Sequence, residues 1–168
     1  TLRSSSAASD VYKRQIDNYG KINRDKILSF RWDKKNYKGF EGDTLASALL
    51  ANNIGIVGRS FKYHRPRGIF SSGVEESGAL VTIGSKDRRD PNVRATTQEL
   101  YNGLEASGQN AFPNVNFDLA GINNYLGRFF AAGFYYKTFM GIPPFEWGRG
   151  TAIWMFFEKF IRKAAGMG

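Results

Sequence analysis

Phe40 to Ile83 reads FEGDTLASALLANNIGIVGRSFKYHRPRGIFSSGVEESGALVTI, and the way this stretch divides into elements decides the fold. TLASALLANN (Thr44 to Asn53) places Leu45, Ala48, Leu49 and Asn52 on one face of a helix. Asp43 is the expected N-cap, because its carboxylate can accept the free amides of the first turn, and Gly55 is the expected left-handed stop. Val57 to Tyr63 then reads as extended chain. A loop opened by Pro66 and Gly68 and rich in Ser and Gly runs to Gly78, and Ala79 to Ile83 (ALVTI) returns as a strand. Working outward toward the N-terminus, Ile27 to Trp32 (ILSFRW) alternates apolar and polar positions. Asp33 to Asn36 offers turn residues, and Tyr37 to Phe40 resumes as a second strand, so a hairpin precedes the helix. Hairpin, helix, loop and returning strand predict an α+β domain, a small mixed sheet packed on one helix.

Downstream the texture changes. The loop Gly84 to Asn92 holds Lys86, Asp87, Arg88, Arg89 and Asp90 and reads as a solvated turn. From Gln98 to Asn116, Asn, Gly and aromatic residues follow one another without strand period, and a helix is expected to start under the cap Asp118. The last element is clearer: Ile153, Trp154, Phe157, Phe160, Ile161 and Ala164 recur at helical spacing between Thr151 and Ala165. Arg162 and Lys163 sit in the final turn, where the helix dipole favours cations, and Gly166 is the stop. Its apolar stripe is worth about 1.5–3 kcal/mol per large side chain if buried. It is expected to pack against sequence beyond this stretch or over the open face of the local sheet.

Composition narrows the chemistry. An apolar share of 42% with 15% aromatic residues belongs to a chain that folds around a core, and a mean hydropathy of −0.41 to one that does so in water. The sequence has no cysteine, which excludes disulfides, thiolate metal sites and thiol nucleophiles, and its single histidine, His64, cannot supply both a metal site and a catalytic triad. No metal site and no catalytic residue is therefore expected. The longest apolar runs, such as Ala152 to Phe157, fall far short of the roughly 20 residues of a membrane-spanning helix. A soluble, cytoplasmic chain without membrane contact is expected. The formal charge is +9, but Ser5 to Gln15 (SSAASDVYKRQ) resembles a translated sequencing adapter. Without Arg3, Lys13, Arg14 and Asp10 the balance of 24 basic and 15 acidic residues becomes 21 against 14, still basic. Residues 1–15 are thus expected to be an adapter-derived or disordered tail, residues 16–97 the α+β domain, and residues 98–168 a helical, aromatic-rich extension.

The segments GDTLASALLAN and GRSFKYHRPRG resemble a ferredoxin-like domain at the front of several amine-oxidising flavoenzymes, which implies a β-grasp fold. Cluster-bearing relatives carry the plant-type C-x4-C-x2-C spacing of a [2Fe-2S] centre in the loop that here reads SSGVEESGA, Ser71 to Ala79. By that resemblance the ligand positions fall on Ser71, Glu76 and Ala79, with the distal one near Thr96; none of the four can replace a thiolate. The departure points to the alpha subunit of heterotetrameric sarcosine oxidase, which FYYKTFM (Phe134 to Met140) and IRKAAGMG (Ile161 to Gly168) resemble as well. The resemblance implies a front module of that subunit, with a flavin and NAD in the holoenzyme, no cofactor in this stretch, and the remainder of the alpha subunit and the other subunits as partners. It also implies a nucleotide-binding domain after Gly168. No G-x-G-x-x-G turn for a dinucleotide occurs within the chain, where GIVG (Gly55 to Gly58) reads as a helix stop and turn.

Two features are left to weigh. Glu75 and Glu76 are adjacent carboxylates without a pocket or metal and read as loop residues. RSFKYHRPRG (Arg59 to Gly68) concentrates Arg59, Lys62, Arg65 and Arg67, with no acid between Thr44 and Val74. The cations can dock a neighbouring domain or a cofactor phosphate through charge-assisted hydrogen bonds. Interleaved with Phe61, Tyr63 and His64 they can stack bases and neutralise phosphates, the reading of an independent basic nucleic-acid or partner-binding module. Or they can be a solvated edge that discourages aggregation. These readings stand side by side.

Overall fold

The computed structural model describes residues 20–127 and 150–164. Of the sequence expectations, the tail of residues 1–15 and FYYKTFM lie outside the described residues, as does the end of IRKAAGMG beyond Ala164.

Strand β1 (Asn23–Trp32) turns back into β2 (Lys35–Glu41), antiparallel, with Phe30 opposite Tyr37 and Trp32 opposite Lys35. The alternation read in ILSFRW is real: Leu28, Phe30 and Trp32 are buried, while Ile27, Ser29 and Arg31 face out. Asp33 and Lys34 form the turn, both at positive φ, 44° and 71°. A two-residue turn of this kind follows the natural twist of a hairpin.

Helix α1 (Leu45–Ala51) follows. Its cap is Thr44 rather than Asp43: the Thr44 hydroxyl accepts from the Ser47 amide at 3.2 Å, and the Ser47 hydroxyl accepts from the Thr44 amide at 3.0 Å. This reciprocal box satisfies two free donors of the first turn at once. Asp43 lies one residue earlier, buried, accepting from the Phe40 amide and the Ser47 hydroxyl, so it ties β2 to the helix start. Nor does Gly55 stop the helix; Asn53, at φ 63°, takes the left-handed position. Leu45, Ala48 and Leu49 are fully buried against the sheet, and the contact is close because β2 carries Gly39 there. A Cβ at Gly39 would come within 2.5 Å of Leu100 Cδ2 and 3.2 Å of Ala48 Cβ.

The extended stretch expected at Val57 to Tyr63 reduces to β3 (Gly58–Arg59), paired with β4 (Pro66–Arg67). Strand β5 (Leu80–Ile83) matches the expected returning strand. Besides β4, which lies where a loop was expected, two strands of the main sheet were not visible in the sequence, β6 (Asp90–Arg94) and β7 (Glu105–Gly108). The main sheet runs in the order β2-β1-β7-β5-β6, with β7 parallel to β1 and antiparallel to β5. An exposed Arg31–Glu105 ion pair at 3.0 Å joins the two parallel strands. Mixed sheet, single packed helix and parallel central pair make this an α+β fold of the ferredoxin-like, β-grasp kind. Asp118 caps a 3₁₀ helix, Leu119–Asn124, and α2 (Gly150–Ala164) is the predicted terminal helix, leaving Met155, Phe156 and Phe160 exposed. No helix among the described residues is long and apolar enough to cross a membrane.

Candidate functional site

The loop between β4 and β5 turns one acidic side chain inward. Glu76 is 1% exposed. Its Oε2 accepts from the backbone amides of Phe70 (2.6 Å) and Ser71 (2.7 Å), and its Oε1 from those of Gly78 (2.5 Å) and Ala79 (3.1 Å). Burial pushes the carboxyl pKa up, but the amides of Ser71, Gly78, Phe70 and Ala79 together outweigh it and bring it down to about 2. Four donors stabilise the ionised form only, so the group is a fixed negative charge at neutral pH.

The end of β6 fastens this loop. The Thr96 hydroxyl donates to the Gly73 carbonyl at 2.8 Å, Arg94 Nε to the Glu76 carbonyl at 3.2 Å, and the Ala95 amide to the Ala79 carbonyl at 2.9 Å. Thr96 is thereby brought from beyond β6 to the loop that already carries Ser71, Glu76 and Ala79. Glu75 is exposed, as a loop residue should be; its neighbour Glu76 is not. A Glu inside a glycine- and serine-rich loop, at a position where a ligand is expected, was the one signal that could have separated them.

The basic segment is held mainly by its own chain. Arg59 Nε donates to the Val115 carbonyl (2.9 Å) and Nη1 to the His64 carbonyl (3.1 Å), and Arg65 Nε donates to Asn124 Oδ1 (2.9 Å). Lys62 and Arg65 both lie over the Tyr63 ring, 4.9 and 4.8 Å from its centre. Arg67, on β4, is exposed. The turn that presents these groups has His64 at φ 54° and is closed by the Ser60 carbonyl, which accepts from the His64 amide. Away from this segment, an open cleft of about 800 Å³ is lined by Arg31, Lys34, Lys86 and Arg89 together with Asp33 and Glu105. No group of three His, Asp or Glu side chains able to hold a metal ion occurs among the described residues.

Residues 25–111 match the family described as the 2Fe-2S iron-sulfur cluster binding domain. The chain belongs to this family. Sarcosine oxidase subunit alpha from Rhizobium meliloti (strain 1021) is 53% identical over 150 residues, covering 89% of this chain and 14% of that protein. The subunit of the same name from Corynebacterium sp. (strain U-96) is 46% identical over 90 residues, 52% of this chain and 9% of its own length. These matches support an N-terminal module of such a subunit, although the chain spans about a seventh of the first relative's length. Among solved structures, L-proline dehydrogenase from P. horikoshii is similar at 25% identity and a TM-score of 0.43, covering 52% of this chain and 16% of that one.

The residues present do not fit the cluster for which the family is named. Fe–S centres are held by thiolates, and the chain has none. Ala79 offers a methyl group, Thr96 is spent on Gly73, and the Glu76 carboxylate fills the space that the loop encloses.

Proposed function

We propose that this chain serves as a structural front module of a sarcosine oxidase alpha subunit, carrying no redox centre of its own while the holoenzyme, with flavin and NAD, demethylates sarcosine oxidatively to glycine in the cytoplasm. The observation that carries this reading is the Glu76 carboxylate seated on four loop amides. The β-grasp scaffold is retained, and the place where a member of this family would hold electrons is occupied by a charge that cannot accept any. A fold hosts many functions, and here the site that would define one is filled.

Its task is then mechanical: to present surfaces to the remainder of the alpha subunit and the other subunits. Two surfaces suit it. Arg65 and Arg67 stand exposed on a turn whose neighbour Arg59 is pinned to Val115, so the segment needs little ordering on docking. Forked guanidinium groups match carboxylate or phosphate partners. The exposed Met155, Phe156 and Phe160 of α2 form an apolar face of the kind that covers a neighbouring domain.

The test is the Arg65→Ala/Arg67→Ala double variant in the complete subunit, co-expressed with its partners. Weaker assembly or nucleotide binding is expected, with the isolated chain folding as before. Each lost charge-assisted contact costs about 1.5–3 kcal/mol, which a titration resolves. Assembly, flavin content and nucleotide binding equal to wild type would overturn the docking role. Salt-dependent binding of generic single-stranded nucleic acid by the chain would favour the basic binding module instead.

A further inference from the structure

The Glu76 site carries an inference that stands apart from how the chain assembles. Backbone amides are obligatory donors, and a buried loop that aims four of them at one point needs an anion or several carbonyls there. Carbonyls do not supply it: the amides of Phe70, Ser71, Gly78 and Ala79 all end on the two oxygens of one side chain, which belongs to the loop itself. Concavities lined by successive amides are a general device for binding anions, inorganic clusters among them. The loop is kept in this shape by contacts independent of the carboxylate, since Thr96 holds Gly73 and the β6 end pairs with Ala79.

We propose that residues 70–79 form an anion-binding nest whose anion the chain supplies itself, the Glu76 carboxylate taking the cluster's place on the amides. Shortening that side chain then turns the nest into a site for a free, compact carboxylate, with formate as the simplest fit. The ligand class follows from the geometry: two oxygens on one carbon, each taking two N–H donors, in a space that accommodates a side-chain carboxylate.

Two variants of the purified chain test this. Glu76→Ala removes the anion and leaves room; Glu76→Gln keeps the space filled but turns an NH2 group toward two of the donors. Both are expected to melt below wild type. Sodium formate should raise the melting temperature of Glu76→Ala saturably and move the amide proton resonances of Phe70, Ser71, Gly78 and Ala79 back toward their wild-type positions. Wild type and Glu76→Gln should respond to formate only as they do to an equal concentration of sodium chloride. If the alanine variant does not fold in buffer, refolding it against a formate gradient reads the same site. A formate response in Glu76→Ala no larger than that of wild type overturns the proposal, as does refolding unaffected at every formate concentration. On the wild-type chain, the same four amide protons should resonate downfield and show through-bond coupling to the Glu76 carboxyl carbon, and their lack of it would equally overturn the assignment.

Discussion

His64 and Asp118 stand 54 positions apart in sequence, yet the imidazole Nδ1 is hydrogen-bonded at 2.7 Å to Oδ2 of a carboxylate that has no exposed surface. The pair joins the basic turn to the segment that follows the sheet. Asp118 serves two further donors, the amides of Phe112 (3.1 Å) and Ala120 (3.2 Å), and so fixes the start of the 3₁₀ helix as well.

Replacing Asp118 with alanine removes the acceptor of three donors at once, the Ala120 amide and the His64 ring partly buried and the Phe112 amide open to water, and each such hydrogen bond contributes about 0.5–1.5 kcal/mol net. His64→Ala removes one of the three partners only. Denaturant unfolding should therefore rank Asp118→Ala clearly below His64→Ala. Equal destabilisation would mean that the carboxylate matters only as the partner of the imidazole.

Glu76 should make stability depend on pH in the acid range. Its folded pKa of about 2 lies below the ordinary 4.5, so the folded state favours the ionised group. The resulting stabilisation is fully present above pH 4.5 and is lost as pH falls from there toward 2. Wild type should exceed Glu76→Gln in denaturant midpoint at pH 6, and the margin should narrow at pH 4 and again at pH 3. A margin independent of pH would contradict the amide-stabilised carboxylate.

Asp33 has the opposite sign. Burial pushes its pKa up, against the Gly108 amide that donates to its Oδ1 at 3.1 Å, the Val115 backbone and the nearby Lys34 charge. The folded state thus holds a proton more tightly than the unfolded one, and stability falls as pH rises through that range. Asparagine keeps the acceptor for Gly108 and tolerates the left-handed φ of 44°. Asp33→Asn should raise the melting temperature at pH 7, with the gain shrinking toward pH 3.

At Gly39 the expected loss is steric. A methyl group there meets Leu100 Cδ2 and Ala48 Cβ, so Gly39→Ala must push α1 from β2 or force Leu100 out of its rotamer. Such overpacking typically costs about 1–3 kcal/mol. A melting temperature equal to wild type would show that the helix has room to retreat.

What the sequence disclosed and what it hid have physical causes. The hairpin and both helices were legible because burial there follows a fixed period: Phe30 and Trp32 two apart, Leu45 and Leu49 four apart. The cap was misassigned by one residue because Asp43 and Thr44 are equally competent acceptors, and only the fold draws Asp43 into the core. Strands β6 and β7 gave no signal. DPNVR carries Pro and Asn, and EASG has no β-branched residue, so their extended state comes from the neighbours that pair with them rather than from local preference. Glu76 could not be told from Glu75 until the loop amides had converged on it. The cations of RSFKYHRPRG were visible as a cluster, but their division into pinned Arg59 and exposed Arg67 depends on Val115, 56 residues further on.

The position of β7 also orders events during synthesis. Of the five strands of the main sheet it comes last in sequence, and it lies in the middle, between β1 and β5. Before β7 is made, the strands of the main sheet can pair only as two separate hairpins, β1–β2 and β5–β6, and a lone hairpin is at best marginally stable in water. Folding of the sheet is thus gated by four residues with little strand preference of their own. A chain cut before Glu105 would leave β1 and β5 each with an unpaired edge, open to pairing with another chain.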